Sequence, residues 1–186
     1  MSNTAINPYL QAWAGMDKHN DLMLFKSRRK LVAQYAWAIP CDTAIQTIAK
    51  LSPIVEVGAG TGYWASLIAK AGAKIDCYDL KPPMIGANTY GHTQQYYPVM
   101  PIAWLDWSKT QRKTLFLCWP PYDDPMAEDC LRRFRGMTVV YVGESHWGCT
   151  ATDAFHTTLD NEWAHVEAVI IPRWDGISDW LRVYQR

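Results

Sequence analysis

The sequence predicts an α/β fold built on a mostly parallel sheet with helices on both faces. Three observations predict it. Short β-branched runs alternate with segments of helical periodicity for most of the chain, the pattern of repeated strand–helix–strand units. One such run, Pro53-Ile54-Val55-Glu56-Val57, passes directly into the turn Gly58-Ala59-Gly60-Thr61-Gly62, which opens an amphipathic helix. A second strand, Ala73 to Tyr78, follows at the distance a β-loop-α-β unit requires and ends at Asp79.

Residues 1–24 are polar and mixed, and read as a loose arm with at most a short helix. Phe25 to Ala38 is expected to be helical, because Leu31, Val32, Tyr35 and Ala36 share one face; Pro40 ends it. Asp42 or Thr43 is placed to cap a second helix, Ala44 to Leu51. In the helix after the glycine turn, Trp64, Leu67, Ile68 and Ala71 face inward, and Gly72 terminates it. Residues 81–101 carry Pro82, Pro83, Gly86, Asn88, Gly91 and Pro98, which is turn chemistry. A weak third strand is expected within Val99 to Leu105 and a clear fourth at Thr114 to Cys118. Met126 to Phe134 reads as a helix, Thr138 to Val142 as the fifth strand, and Asp153 to Trp163 as a helix. Glu167 to Ile171 and Trp180 to Tyr184 read as closing strands.

The 186 residues fit a single domain, with residues 1–50 as a helical N-terminal cap and 51–186 as the core. A formal net charge of zero gives no global field toward nucleic acid or an anionic membrane. Five scattered cysteines with no CxxC spacing point to reduced thiols and a cytoplasmic setting. With no basic segment followed by an apolar run in Met1 to Leu10, no signal peptide is expected, and no apolar stretch approaches membrane-spanning length. Ten tryptophans and ten tyrosines imply an aromatic core or a pocket walled by flat rings.

The glycine turn carries the strongest chemical signal. Glycines let the backbone turn sharply and leave space for a ligand, and the following helix points its N–H groups at that ligand. Asp79, 17 residues after Gly62, stands where ribose hydroxyls would be held. Glu56 would repel a pyrophosphate and suits a ligand bearing an ammonium group. The absence of a GK[ST] ending excludes a P-loop.

On these residues, E-x-G-x-G-x-G at 56–62 with the acid at 79, the sequence resembles the class I S-adenosylmethionine-dependent methyltransferases. The resemblance covers roughly residues 50–186 and implies a Rossmann-like, seven-stranded sheet with the last strand antiparallel. It implies S-adenosyl-L-methionine as cofactor, with Glu56, Gly58, Ala59, Gly60, Gly62, Tyr63, Trp64, Asp79, Leu80 and Trp119 around it. Asp106 is the candidate for reading the adenine amino group, and Trp104 or Trp107 for stacking. The longer string Tyr35 to Pro40, Val55 to Trp64 and Cys118 to Tyr122 is also similar to a group of small methyltransferase-like proteins of no assigned substrate.

Trp119-Pro120-Pro121-Tyr122, at the end of the fourth strand, resembles the (Asn/Asp/Ser)-Pro-Pro-aromatic tetrapeptide of amino-group methyltransferases. That resemblance implies stacking by Tyr122 and an acceptor role for the Pro120 carbonyl. Trp119 departs from it, since an indole donates and cannot accept from an amine. Asp123 and Asp124 are candidate acceptors or bases. Glu144 and His146, after the fifth strand, are candidates for taking a proton. His146, Cys149 and His156 match no standard zinc spacing, so no metal is expected.

The leading expectation is therefore methyl transfer to an amine or hydroxyl of a small molecule. One alternative is adenine-N6 methylation of DNA or RNA, favoured by Pro-Pro-Tyr and by the basic cluster Lys26 to Lys30. The other is a non-catalytic cofactor-binding regulator.

Overall fold

The computed structural model describes residues 7–17, 21–83 and 94–186. The chain runs α1 (Pro8–Ala14), α2 (Asp21–Gln34), α3 (Asp42–Ala49), β1 (Ile54–Val57), α4 (Tyr63–Lys70), β2 (Ile75–Asp79) and β3 (Val99–Pro101). It continues through two short 3₁₀ turns, Ile102–Trp104 and Trp107–Thr110, into β4 (Thr114–Cys118) and α5 (Met126–Arg133). Then come β5 (Thr138–Gly143), α6 (Asp153–Glu162), β6 (Ala164–Ile170) and β7 (Trp180–Gln185).

The seven strands form one sheet in the order β3-β2-β1-β4-β5-β7-β6. β1 to β5 pair in parallel, whereas β7 runs antiparallel to both β5 and β6. The sheet is thus mixed, which corrects the expectation of a mostly parallel one. The reason is the connection from β6 to β7. Nine residues, 171–179, are too few for a crossover helix, so the chain folds back on itself.

Side chains along each strand alternate between two layers, as the two-residue period of a strand demands. Ile54, Phe116, Val140 and Val183 pack against α3, α4 and the end of α2. Val55, Leu115, Val139 and Tyr141 pack against α5 and α6 on the other face. Phe116 is fully buried against Trp64, so Phe116→Ala would cost about 3–5 kcal/mol.

Several boundaries differ from expectation for physical reasons. α2 ends at Gln34 rather than running to Ala38, and the Tyr35 carbonyl instead accepts from the Thr61 hydroxyl of the glycine turn. α3 starts at Asp42, with Cys41 at the N-cap and no side-chain cap bond, so neither Asp42 nor Thr43 caps it. β6 begins at Ala164, three residues before expected, because it is mostly exposed and carries no apolar alternation to mark its start. The arm is docked where described: Asn7 caps α1, and Tyr9 is wholly buried. The turn-rich reading of 84–93 lies outside the described residues. Among the described residues, no helix is long and apolar enough to cross a membrane.

Candidate functional site

From β1 the chain builds outward to β3 and then returns to β4 beside β1, and ligands of open α/β sheets sit at the strand ends where order reverses in this way. A cleft of about 900 Å³ opens there, lined by the glycine turn, Asp79, Trp119, Tyr122 and the segment after α2.

The glycine turn is tightly tied. Gly58, Gly60 and Gly62 have φ of 75°, 53° and 70°. The Gly58 and Ala59 N–H groups both donate to the Tyr78 carbonyl, at 2.9 and 3.1 Å. Asp79 accepts from the Gly60 N–H through one carboxylate oxygen and from the Lys81 N–H through the other, each at 2.9 Å. The acid therefore fixes the turn and still faces the cleft. Tyr63 donates to Asn7 and Trp64 donates to the Ala38 carbonyl, so both rings also clamp the N-terminal helices.

Glu56 is poorly satisfied for a buried group. It is 2 % exposed, and among the described residues its sole hydrogen-bond partner is the Cys77 thiol at 3.4 Å. Burial pushes its carboxyl up to about 8, and the Asp79 charge adds to that. A buried carboxylate so short of donors favours a cationic neighbour.

At the end of β4 the wall is built on Trp119. Its backbone is left-handed, with φ 54°, which is unusual for a bulky residue. Its indole stacks on Trp37 with centroids 4.9 Å apart and planes 9° apart. Its Nε1–H donates to both oxygens of Asp179, each at 2.8 Å. Pro120 accepts from the Ala151 N–H, and the Asp123 N–H donates to the Ala151 carbonyl. Tyr122 is 68 % exposed and reaches the cleft, as does Asp124.

No protein-family profile and no curated protein matches the sequence. Solved structures do match it. A candidate O-methyltransferase from Klebsiella pneumoniae shares 14% identity over 98% of this chain and 96% of its own, with a TM-score of 0.51. Magnesium protoporphyrin IX methyltransferase from Synechocystis, solved with S-adenosylmethionine bound, shares 12% identity over 96% of this chain and 90% of its own. Its TM-score is 0.50. The chain has the class I methyltransferase fold.

Within this methyltransferase fold, the cleft gathers Glu56, Gly58, Ala59, Gly60, Tyr63, Trp64, Asp79, Leu80, Trp119 and Tyr122 from the residues the sequence singles out. Gly62, Pro120, Asp123, Asp106, Glu144 and His146 do not line it. Gly62 serves as the N-cap of α4. The Asp106 carboxylate caps its own 3₁₀ turn through Ser108 and pairs with Lys109. Glu144 accepts from the Cys149 N–H and thiol and from the Ser178 N–H; burial pushes its carboxyl up, but these donors outweigh that and hold it below its usual range. His146 pairs with Asp160 of α6 at 2.9 Å.

Sequence reasoning did not find Asp179, or Arg28 as a cleft residue. Asp179 follows an irregular loop and meets Trp119 across 60 positions, and no local spacing encodes such a pairing. Arg28 lies inside a basic run whose other members point to solvent. Trp107, with Ile102, lines the cleft beyond Asp79.

Proposed function

We propose that this chain is an S-adenosylmethionine-dependent methyltransferase acting on a small molecule. The observation that carries the reading is Glu56: a buried carboxylate on the cleft wall, with one weak donor, beside a glycine turn held by Asp79. That arrangement fits the cofactor's chemistry. Glu56 takes the ammonium of the methionine end, the open backbone of Gly58 to Gly60 leaves room for the ribose, and Asp79 accepts from its hydroxyls. Leu80, Ile102 and Trp107 offer an apolar slot for the base.

When bound, S-adenosylmethionine supplies a methyl group on a positively charged sulfur that leaves as a neutral thioether. The chain's own residues do the rest by positioning. Trp119 and Tyr122 form the floor on which an acceptor lies in line with that group. Asp124, one of the carboxylates lining the cleft, takes the acceptor's proton in this reading.

Adenine-N6 methylation is not favoured. The amine-orienting acceptor of that chemistry is replaced by an indole N–H already committed to Asp179, and the Pro120 carbonyl is committed to Ala151.

The test is calorimetric titration with S-adenosylmethionine and S-adenosylhomocysteine. Both should bind, and Asp79→Ala should weaken them about tenfold or more, which is ~1.4 kcal/mol. Failure of both to bind folded wild-type protein would sink the reading. Binding without turnover on a broad acceptor panel would favour a non-catalytic regulator instead.

A further inference from the structure

Arg28 of α2 reaches the cleft wall, half-buried, and among the described residues no acceptor lies within hydrogen-bond or ion-pair distance of it. A guanidinium carries five donors in a planar fork, and leaving them unused in a partly dry cleft is costly. The other arginine on the wall, Arg133, is occupied over the Trp107 ring at 5.8 Å. Tyr9, Glu144, Cys149 and Asp179 are among the groups that feel the Arg28 charge. Arg28 therefore lies within electrostatic reach of the Trp119–Asp179 pair. The two acids nearby already accept from other donors, Glu144 from Cys149 and Ser178, and Asp179 from the Trp119 indole.

We infer that the acceptor is a flat aromatic compound bearing an acidic group, its ring lying on the wall made by Trp37, Trp119 and Tyr122 and its anion held by Arg28. This rests on the methyltransferase reading above. The flatness follows from the stacked indoles, whose orientation is locked on one side by Asp179. The acidity follows from a bidentate donor on the cleft wall that, among the described residues, forms no hydrogen bond or close ion pair of its own. Carboxylate and phosphate present the same face to a guanidinium, so the chemistry is an anion of either kind.

The experiment titrates the protein, with saturating S-adenosylhomocysteine, with benzoate, benzamide, phenyl phosphate and cyclohexanecarboxylate, following tryptophan fluorescence. Benzoate or phenyl phosphate should bind at least about tenfold more tightly than benzamide, a difference of ~1.4 kcal/mol, and the better of the two identifies the anion. Cyclohexanecarboxylate, equally acidic but not flat, should bind more weakly than benzoate. Arg28→Gln should erase the preference for the anion while leaving S-adenosylhomocysteine affinity unchanged, and Arg28→Lys should retain part of it. A circular dichroism melt checks that each variant is folded. Equal binding of acid and amide, persistence of the preference in Arg28→Gln, or no saturable anion binding up to about 10 mM would overturn the inference. Loss of S-adenosylhomocysteine binding in Arg28→Gln would overturn it too, by assigning the guanidinium to the cofactor. If wild-type protein fails to bind S-adenosylhomocysteine, the methyltransferase reading fails separately, and the same titrations without it still read Arg28.

Discussion

The Trp119 indole N–H bridges both carboxylate oxygens of Asp179 at 2.8 Å, so the first residue of the Trp-Pro-Pro-Tyr turn is oriented by a side chain from the loop leading into β7. Asp179 is 2 % exposed, and burial lifts its carboxyl to about 6. Asp179→Ala strands the indole donor and should destabilise the protein by about 1–3 kcal/mol. Asp179→Asn keeps one acceptor and should lose less. Urea titration checks the stability, and a shift in tryptophan emission reports release of the ring.

Glu56 predicts a pH effect whose sign is opposite to that of an ordinary surface carboxylate. Its folded-state value is raised to about 8, above that of the unfolded chain, so the folded state binds the extra proton between those limits. Stability from this group is present at low pH and is lost as pH rises through that window, by up to about 1.4 kcal/mol per pH unit. Glu56→Gln should flatten the fall when melting is followed from pH 5 to 8.5. Cofactor binding to wild type near pH 7 should release a proton, read as a buffer-dependent heat in calorimetry. A heat independent of buffer ionisation enthalpy would contradict the pairing of Glu56 with a cation.

Gly62 and Gly72 both adopt positive φ, yet they should respond differently to alanine. A Cβ at Gly62 would stand 3.0 Å from the Tyr97 Cβ and carbonyl oxygen, whereas one at Gly72 meets nothing within 4 Å. Gly62→Ala should therefore cost backbone strain plus a clash, about 2–4 kcal/mol in all, against about 1–2 kcal/mol for Gly72→Ala. Parallel denaturation curves of the two variants decide it.

His146 should be dispensable for chemistry. It pairs with Asp160 on α6 and does not line the cleft. His146→Ala should lower stability by less than about 1 kcal/mol, as expected for an exposed pair, and leave kcat within about twofold. A hundredfold fall in kcat with unchanged folding would restore it as a catalytic base.

What the sequence makes legible follows the range of the interactions involved. The turn from Val57 to Tyr63, the strand Thr114 to Cys118 and the acid Asp79 are encoded by adjacent residues, and they stand where their pattern puts them. The early end of α2 is not, because what stops it is the Thr61 hydroxyl taking the Tyr35 carbonyl from 26 positions away. β6 lies at the sheet edge and is exposed along nearly its whole length on both faces, so no apolar alternation marks it. The acceptor end depends on Trp37, Trp119 and Asp179, drawn from three distant segments, and the pairing of Asp106 with its own turn is a choice between local and distant partners that composition does not decide.

Ala151 gives its N–H to Pro120 and takes the N–H of Asp123 on its carbonyl, so the loop after β5 and the Trp-Pro-Pro-Tyr turn are laced together by backbone alone. Backbone bonds are indifferent to side-chain identity. The floor of the cleft can therefore keep its shape while the residues standing on it change. The facing rim, carried by α2 and the segment through Trp37, is the part free to vary. Changes of acceptor across descendants of such a chain would be written there, one helix exchanged against a base plate that stays put.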